Sequence, residues 1–270
     1  MIQPTGFHLR LSRDWLVDAV SANIGAFLPT TAERALGQPV TGLLCDDAIH
    51  DIRNRLALLR NDDSVEHLLH VALVPGGKPF DLSMFRNGDD FGIDAEPSDG
   101  HAFGDATGIV EGMLACVSVA RDVESIAGEA ARQLRALTGF DCATIYGDGV
   151  LLGHSARIRE PSVQAMKDPA FHELAVVDCT AEPVIILAPG SDVAQRSTLR
   201  QPTDLELEML TASGARAALI VPMARDGQSW GHVACLHSTP RRVGVERRSI
   251  VRLFARIIAL QIEIAELRRG

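Results

Sequence analysis

Two apolar runs, ARAALIVPM and SWGHVACLH, meet at Asp226-Gly227. No other stretch constrains the fold of this chain more. Asp-Gly accepts the positive φ of a tight turn, so the runs read as two long strands of one hairpin. Strands paired this way demand an antiparallel sheet. DCATIYG and VLLGHSARI read as further strands, and LAVVDCTAEPVIILAPG as extended chain broken by Pro183 and Pro189. Before them IVEGMLACVSVARDVESIAGEAARQLRALTG carries one long helical pattern closed by Gly139, and a short helix is predicted at 203–213. The order helix, strands, short helix, hairpin and terminal helix describes one antiparallel sheet with helices packed on it.

Residues 1–97 make a second, smaller unit of the same kind. Phe7, Leu9 and Leu11 alternate with His8 and Arg10, the pattern of a half-buried strand. Ile49, Ile52, Leu56 and Leu59 fall at helical spacing, and HLLHVALV and PFDLSMFRNGDDFGIDAEP follow as strands turning at Asn87-Gly88. The Gly-, Pro-, Ser- and Asp-rich AEPSDGHAFGDATG marks the boundary. The fold class is therefore α+β: domains over 1–97 and 105–270, a linker over 98–104, and an amphipathic C-terminal helix over 245–268.

That helix has the clearest period in the chain. Ile250, Leu253, Ile257, Leu260, Ile264 and Leu267 step 3-4-3-4-3, a heptad seam, and Phe254, Ile258 and Ile262 add a second stripe. One stripe can cover the sheet while the seam meets a second copy. The expectation is a homodimer through this helix; the plainer reading packs both stripes on the chain's own core.

Charge and chemistry narrow the function. With 26 Lys and Arg against 35 Asp and Glu the net charge is −9. Eight Arg and three Glu after residue 240 make that tail +5 and the remainder −14. Without an aromatic platform the arginines read as a solvated face, and no nucleic-acid partner is expected. Cys45, Cys116, Cys142, Cys179 and Cys235 are odd in number and scattered, which fits neither zinc nor a disulfide framework. A reducing, cytoplasmic setting and small buried thiols at Cys142, Cys179 and Cys235 are expected. No run approaches the ~18 apolar residues of a membrane span, so no membrane is expected. GxSxG, Walker-type, HExxH and kinase signatures are absent, and GDGVLLG lies between strands rather than opening a helix. An enzyme is not expected.

Several segments together resemble the PAS–GAF photosensory core of bacterial phytochromes. IQPTG resembles the Ile-Gln-Pro-His-Gly of that family, with Thr5 replacing His, and VSANIGAFL the strand and turn after it. RNGDDFGIDAEP resembles the end of the PAS sheet and LTGFDCATIY the first GAF strand. SGARAALIVPMARDGQSWGHVACLHSTPR is similar to the core GAF hairpin, ending in a degraded Cys-His-His. The resemblance implies a bilin pocket on the GAF sheet and a sensory, signal-transducing role.

Carried over residue by residue, that pocket is degenerate. The resemblance implies that bacterial members attach biliverdin to a Cys upstream of Ile-Gln-Pro; with the sequence beginning Met1-Ile2, no such Cys is expected. The attachment Cys of plant and cyanobacterial relatives falls on Leu205, and the His beside it on Glu206. Arg159 occupies the position of the central Asp, and Leu236 that of the His that bonds the terminal ring. His237 remains, one residue along the strand and hence on the opposite face. Arg200 matches a propionate-binding Arg and Tyr146 a pocket Tyr. Each has a plainer reading: a loop arginine, a core aromatic, and for Thr203-Asp-Leu-Glu206 a capping box. In the family the N-terminal segment threads a lasso, here about His172 to Gln201, to form a knot; with only Met1 and Ile2 to pass, a vestigial knot or none is expected.

The expected function is a phytochrome-like regulator without cofactor that dimerises and acts on a separate signalling protein by contact. The alternative is a sensor holding biliverdin or another tetrapyrrole non-covalently through Arg200 and Tyr146. A haem held by His237 or His232, and a purely structural role, are the lesser readings.

Overall fold

The computed structural model describes residues 1–60, 64–100, 105–157, 173–188 and 196–268. The chain forms two compact units: Met1–Ala102 with Ala181–Gln201, and Phe103–Thr180 with Pro202–Gly270. The second unit is thus interrupted, where the sequence reading had it run unbroken from 105 to 270. The cause is the backbone bonding of 181–201 to the N-terminus described below.

The first unit is built on β1 (Phe7–Leu11), β2 (Val17–Ser21), β3 (Val65–Ala72), β4 (Pro79–Asn87) and β5 (Asp90–Pro97), with α2 (Asp46–Leu56) and the one-turn α1 (Ala32–Ala35) beside them. With a short strand from the later segment, Ile186–Leu187, they form an antiparallel sheet in the order β3-β4-β5-β1-β2 and then Ile186–Leu187. The alternation read in β1 is real: Phe7, Leu9 and Leu11 are fully buried in one core with Ile49, Ile52 and Leu56 of α2. Phe7 also packs against Phe27 and Phe80, ring centroids 5.6 Å apart in each pair. The β4–β5 turn lies one residue later than expected. Asn87 pairs with Asp90, which leaves Gly88-Asp89 in the loop with Gly88 at φ +65°.

Residues 1–3 are clasped between two arms of the 181–201 segment. Ile2 N–H donates to Val184 O at 2.9 Å and Val184 N–H returns the bond at 2.7 Å, while Arg200 bridges Ile2 on the other side. Gln3 N–H reaches Leu199 O at 2.8 Å, and its Nε2 donates to the Arg200 carbonyl at 3.0 Å. Ile2 is wholly buried. One buried isoleucine therefore sits between the two arms, with backbone bonds to one and a bridge to the other, and residues 189–195 between the arms lie outside the described residues. His172, the expected start of the lasso, lies outside the described residues.

The second unit carries β6 (Cys142–Gly147), β7 (Val150–Ala156), β8 (Leu174–Val176), β10 (Ala217–Arg225) and β11 (Gln228–His237), β9 being Ile186–Leu187 of the first unit. Its antiparallel sheet has the order β7-β6-β11-β10-β8. Three helices cover one face: α3 (Ala106–Val117), α4 (Val123–Thr138) and α6 (Val245–Leu267). The single long helix expected before Gly139 is two helices. Asp122 caps α4, its carboxylate accepting from Ser125 N–H at 2.9 Å, and an N-cap residue has non-helical backbone that ends what precedes it. Gly139 closes α4 in the left-handed conformation, as read. Asp226-Gly227 turns β10 into β11 with both residues at positive φ, and Asp148-Gly149 does the same between β6 and β7.

Candidate functional site

Strand alternation divides the side chains of the second sheet between two environments. Ala143, Ile145, Leu219, Val221, Val233 and Cys235 face the helices, whereas Ala218, Ile220, Ala234 and Leu236 face the other way. This inner face is partly roofed by α5 (Asp204–Ser213), whose Leu210 is buried there with Leu174 and Val176 of β8. Cys142, Thr144 and Tyr146 share the inner side of β6, because Leu236, Ala234 and His232 stand opposite them in register.

The face has a packed apolar end and a polar end. Leu236, which the resemblance set at the position of a ring-binding His, is 2% exposed among Leu174, Val176, Leu210, Ala218 and Ile220. An imidazole there would have to find a polar partner inside this cluster. At the other end Tyr146 lies against His232, ring centroids 4.9 Å apart and planes 19° from parallel, both nearly fully buried. The sequence reading named His232 only as a haem alternative. The signal was available in the alternation: His232 stands four residues before Leu236, an even number, and so on the same face.

The remaining expected site residues lie elsewhere. His237 turns to the helix side, stacked 5.6 Å from Phe140, with Nδ1 3.0 Å from Asp141 Oδ2. The structure does not bring it to Tyr146. Ser238 N–H and Oγ–H donate to the same Asp141 Oδ2, at 2.9 and 2.7 Å. Burial pushes the Asp141 carboxyl up, but these bonds with the nearby His237 and Arg241 charges outweigh it and hold the group below its ordinary value. Arg200 belongs to the first unit, in the clasp around Ile2. Arg159 lies outside the described residues.

Glu206 closes the N-terminus of its own helix. Its Oε2 accepts from Thr203 N–H at 2.8 Å, and Thr203 Oγ1 accepts from Glu206 N–H at 3.3 Å, the capping box read from the sequence. Leu205 is 57% exposed. Cys235 and Cys142 are buried, and burial pushes the Cys235 thiol up to about 12. Among the described residues no group of three or more His, Cys, Asp and Glu could hold a metal ion, and no helix is long and apolar enough to cross a membrane.

Comparison with known proteins agrees with this architecture. A family model described as the GAF domain matches residues 122–262, and one described as a PAS fold matches residues 1–98. The Phytochrome-like protein Cph1 of Synechocystis sp. is 33% identical over 70 residues, 26% of this chain and 9% of that protein. The photosensory core module of Stigmatella aurantiaca phytochrome superposes with a TM-score of 0.84 at 22% identity, covering 98% of this chain and 58% of that one. The chromophore-binding domain of the bacteriophytochrome RpBphP3 from R. palustris gives 0.83 at 22% identity, covering 99% and 96%. The chain thus spans little more than half of the photosensory core module and a small part of the cyanobacterial protein. With more than half of its residues matched by one family model and most of the rest by the other, the chain belongs to the GAF domain family and carries a PAS fold before the GAF domain, the fold seen in the phytochrome photosensory core.

Proposed function

We propose that this chain is a phytochrome-like sensory module, not a catalyst, whose inner GAF face is not a bilin site and which passes its signal by protein contact as a dimer through α6. The observation that carries the first part is Leu236. At the position of the ring-binding imidazole the strand presents a leucine, and its neighbours close around it as a hydrophobic cluster. Glu206, at the second His position, is turned back into its own helix cap.

The dimer rests on α6. Val251, Phe254, Ala255, Ile258, Ala259 and Ile262 pack on the core, while Leu253, Leu260, Ile264 and Leu267 are exposed by 49, 57, 47 and 76%. Ile257 is half-buried, and Ile250 is buried in the core, so the outward seam begins at Leu253. Ile257 and Ile264 alternate with Leu253, Leu260 and Leu267, the branched-then-leucine order that favours two strands. The test is sedimentation of the wild type against Leu253→Lys with Leu260→Lys. A wild-type dimer at micromolar concentration and a folded monomeric variant are expected; a strictly monomeric wild type would refute the dimer.

The second reading, a tetrapyrrole bound without a covalent bond, is favoured by the buried Tyr146–His232 pair on the same inner face.

A further inference from the structure

One end of the second sheet carries a ladder of side chains that ends on the last turn of α6. Asp148, in the β6–β7 turn, accepts a hydrogen bond from Trp230 Nε1–H at 3.0 Å, and its own N–H donates to Trp230 O at 2.9 Å. The indole lies so close over β6 that a Cβ at Gly147 would come within 2.4 Å of Trp230 Cζ2. Arg225, the last residue of β10, holds its guanidinium carbon 3.3 Å from the centroid of the Trp230 ring. Its Nη1–H then donates to Glu266 Oε2 at 2.7 Å. Among the described residues this is the ion pair that ties the last two turns of α6 to the sheet.

The arrangement carries terms that oppose it as well as terms that hold it. Nε and Nη2 of Arg225 are both buried and have no hydrogen-bond partner among the described residues. Buried donors left idle oppose the state that buries them. The Glu266 side chain is 44% exposed, so solvent screens its attraction for the arginine. Cation–π stacking and the ion pair therefore favour closure, while two idle guanidinium nitrogens favour an arginine that swings out and is hydrated. An arginine with opposing terms of this kind is a candidate for the two-position element that transmission between sites requires.

We propose that Arg225 is a releasable clamp through which the Asp148 turn sets the freedom of the C-terminal turn of α6. This goes beyond the proposed function and does not depend on whether α6 pairs with a second copy or the inner face holds a ligand. The test is amide hydrogen exchange of the full chain, comparing residues 260–268 with β10 and β11. Glu266→Gln removes the ion pair, and Arg225→Met keeps apolar cover over Trp230 without the idle donors. Asp148→Gly removes the far acceptor while tolerating the positive φ at that turn. Each is expected to speed exchange at 260–268 by about threefold or more with the strands unchanged, and Asp148→Gly added to Glu266→Gln is expected to do no more than Glu266→Gln alone. Unchanged exchange at 260–268 in Glu266→Gln, no effect there from Asp148→Gly, or a uniform rise through the strands would each overturn the clamp.

Discussion

Asp94 shows how much of the first unit rests on one carboxylate. It is 1% exposed and takes hydrogen bonds from His8 Nδ1–H at 2.7 Å, Ser197 Oγ–H at 2.9 Å, and the Thr198 N–H and Oγ–H. Asp94→Ala strands those donors in the interior and is expected to destabilise the unit by roughly 3 kcal/mol, measured by denaturant unfolding; a loss below about 1 kcal/mol would mean that the network carries little. Asp141 gives a pH signature. Its folded value lies below the unfolded one, so its contribution is present above about pH 4 and is lost as pH falls through the folded value. Asp141→Asn is expected to flatten the fall in stability between about pH 5 and about pH 3; an unchanged slope would contradict that. Residues with local partners were legible in the sequence, as Thr203 and Glu206 were at a spacing of three. Asp94 was not, because Ser197 and Thr198 lie 103 and 104 residues away and nothing in either stretch announces the other.

At the scale of elements, periodicity located the strands and helices and turn chemistry closed them. Asp226-Gly227 and Gly139 behave as their backbone freedom requires. The reading joined α3 and α4 because apolar period alone does not register a break, whereas the Asp122 cap does. The approach of α4 to β7 was equally hidden. A Cβ on Gly153 would come within 2.3 Å of the Ala127 carbonyl carbon, so the helix backbone rests directly on the strand. Gly153→Ala is expected to cost about 1–3 kcal/mol by forcing the two apart, read from the unfolding midpoint; a neutral substitution would show that α4 yields freely. The seam of α6 was legible as a repeat, but its two stripes could be assigned to core and solvent only with the sheet in place. Ile250 changed sides for that reason.

At the scale of the molecule, the fold class and the presence of two α/β units were readable because each sheet has its own local pattern. The exchange of 181–201 into the first unit was not, since it depends on backbone bonds of Ile2 that carry no residue code. The functional claim follows from which group each strand position presents inward. Leu236 is packed with Leu174, Val176, Leu210, Ala218 and Ile220 on the inner face, and the proposal is that no bilin is held there. Titration of the purified chain with biliverdin, followed by absorption before and after red illumination, tests this most directly. The account predicts no narrowed, red-shifted band and no photoconversion; a stoichiometric red-absorbing complex that switches with light would contradict it.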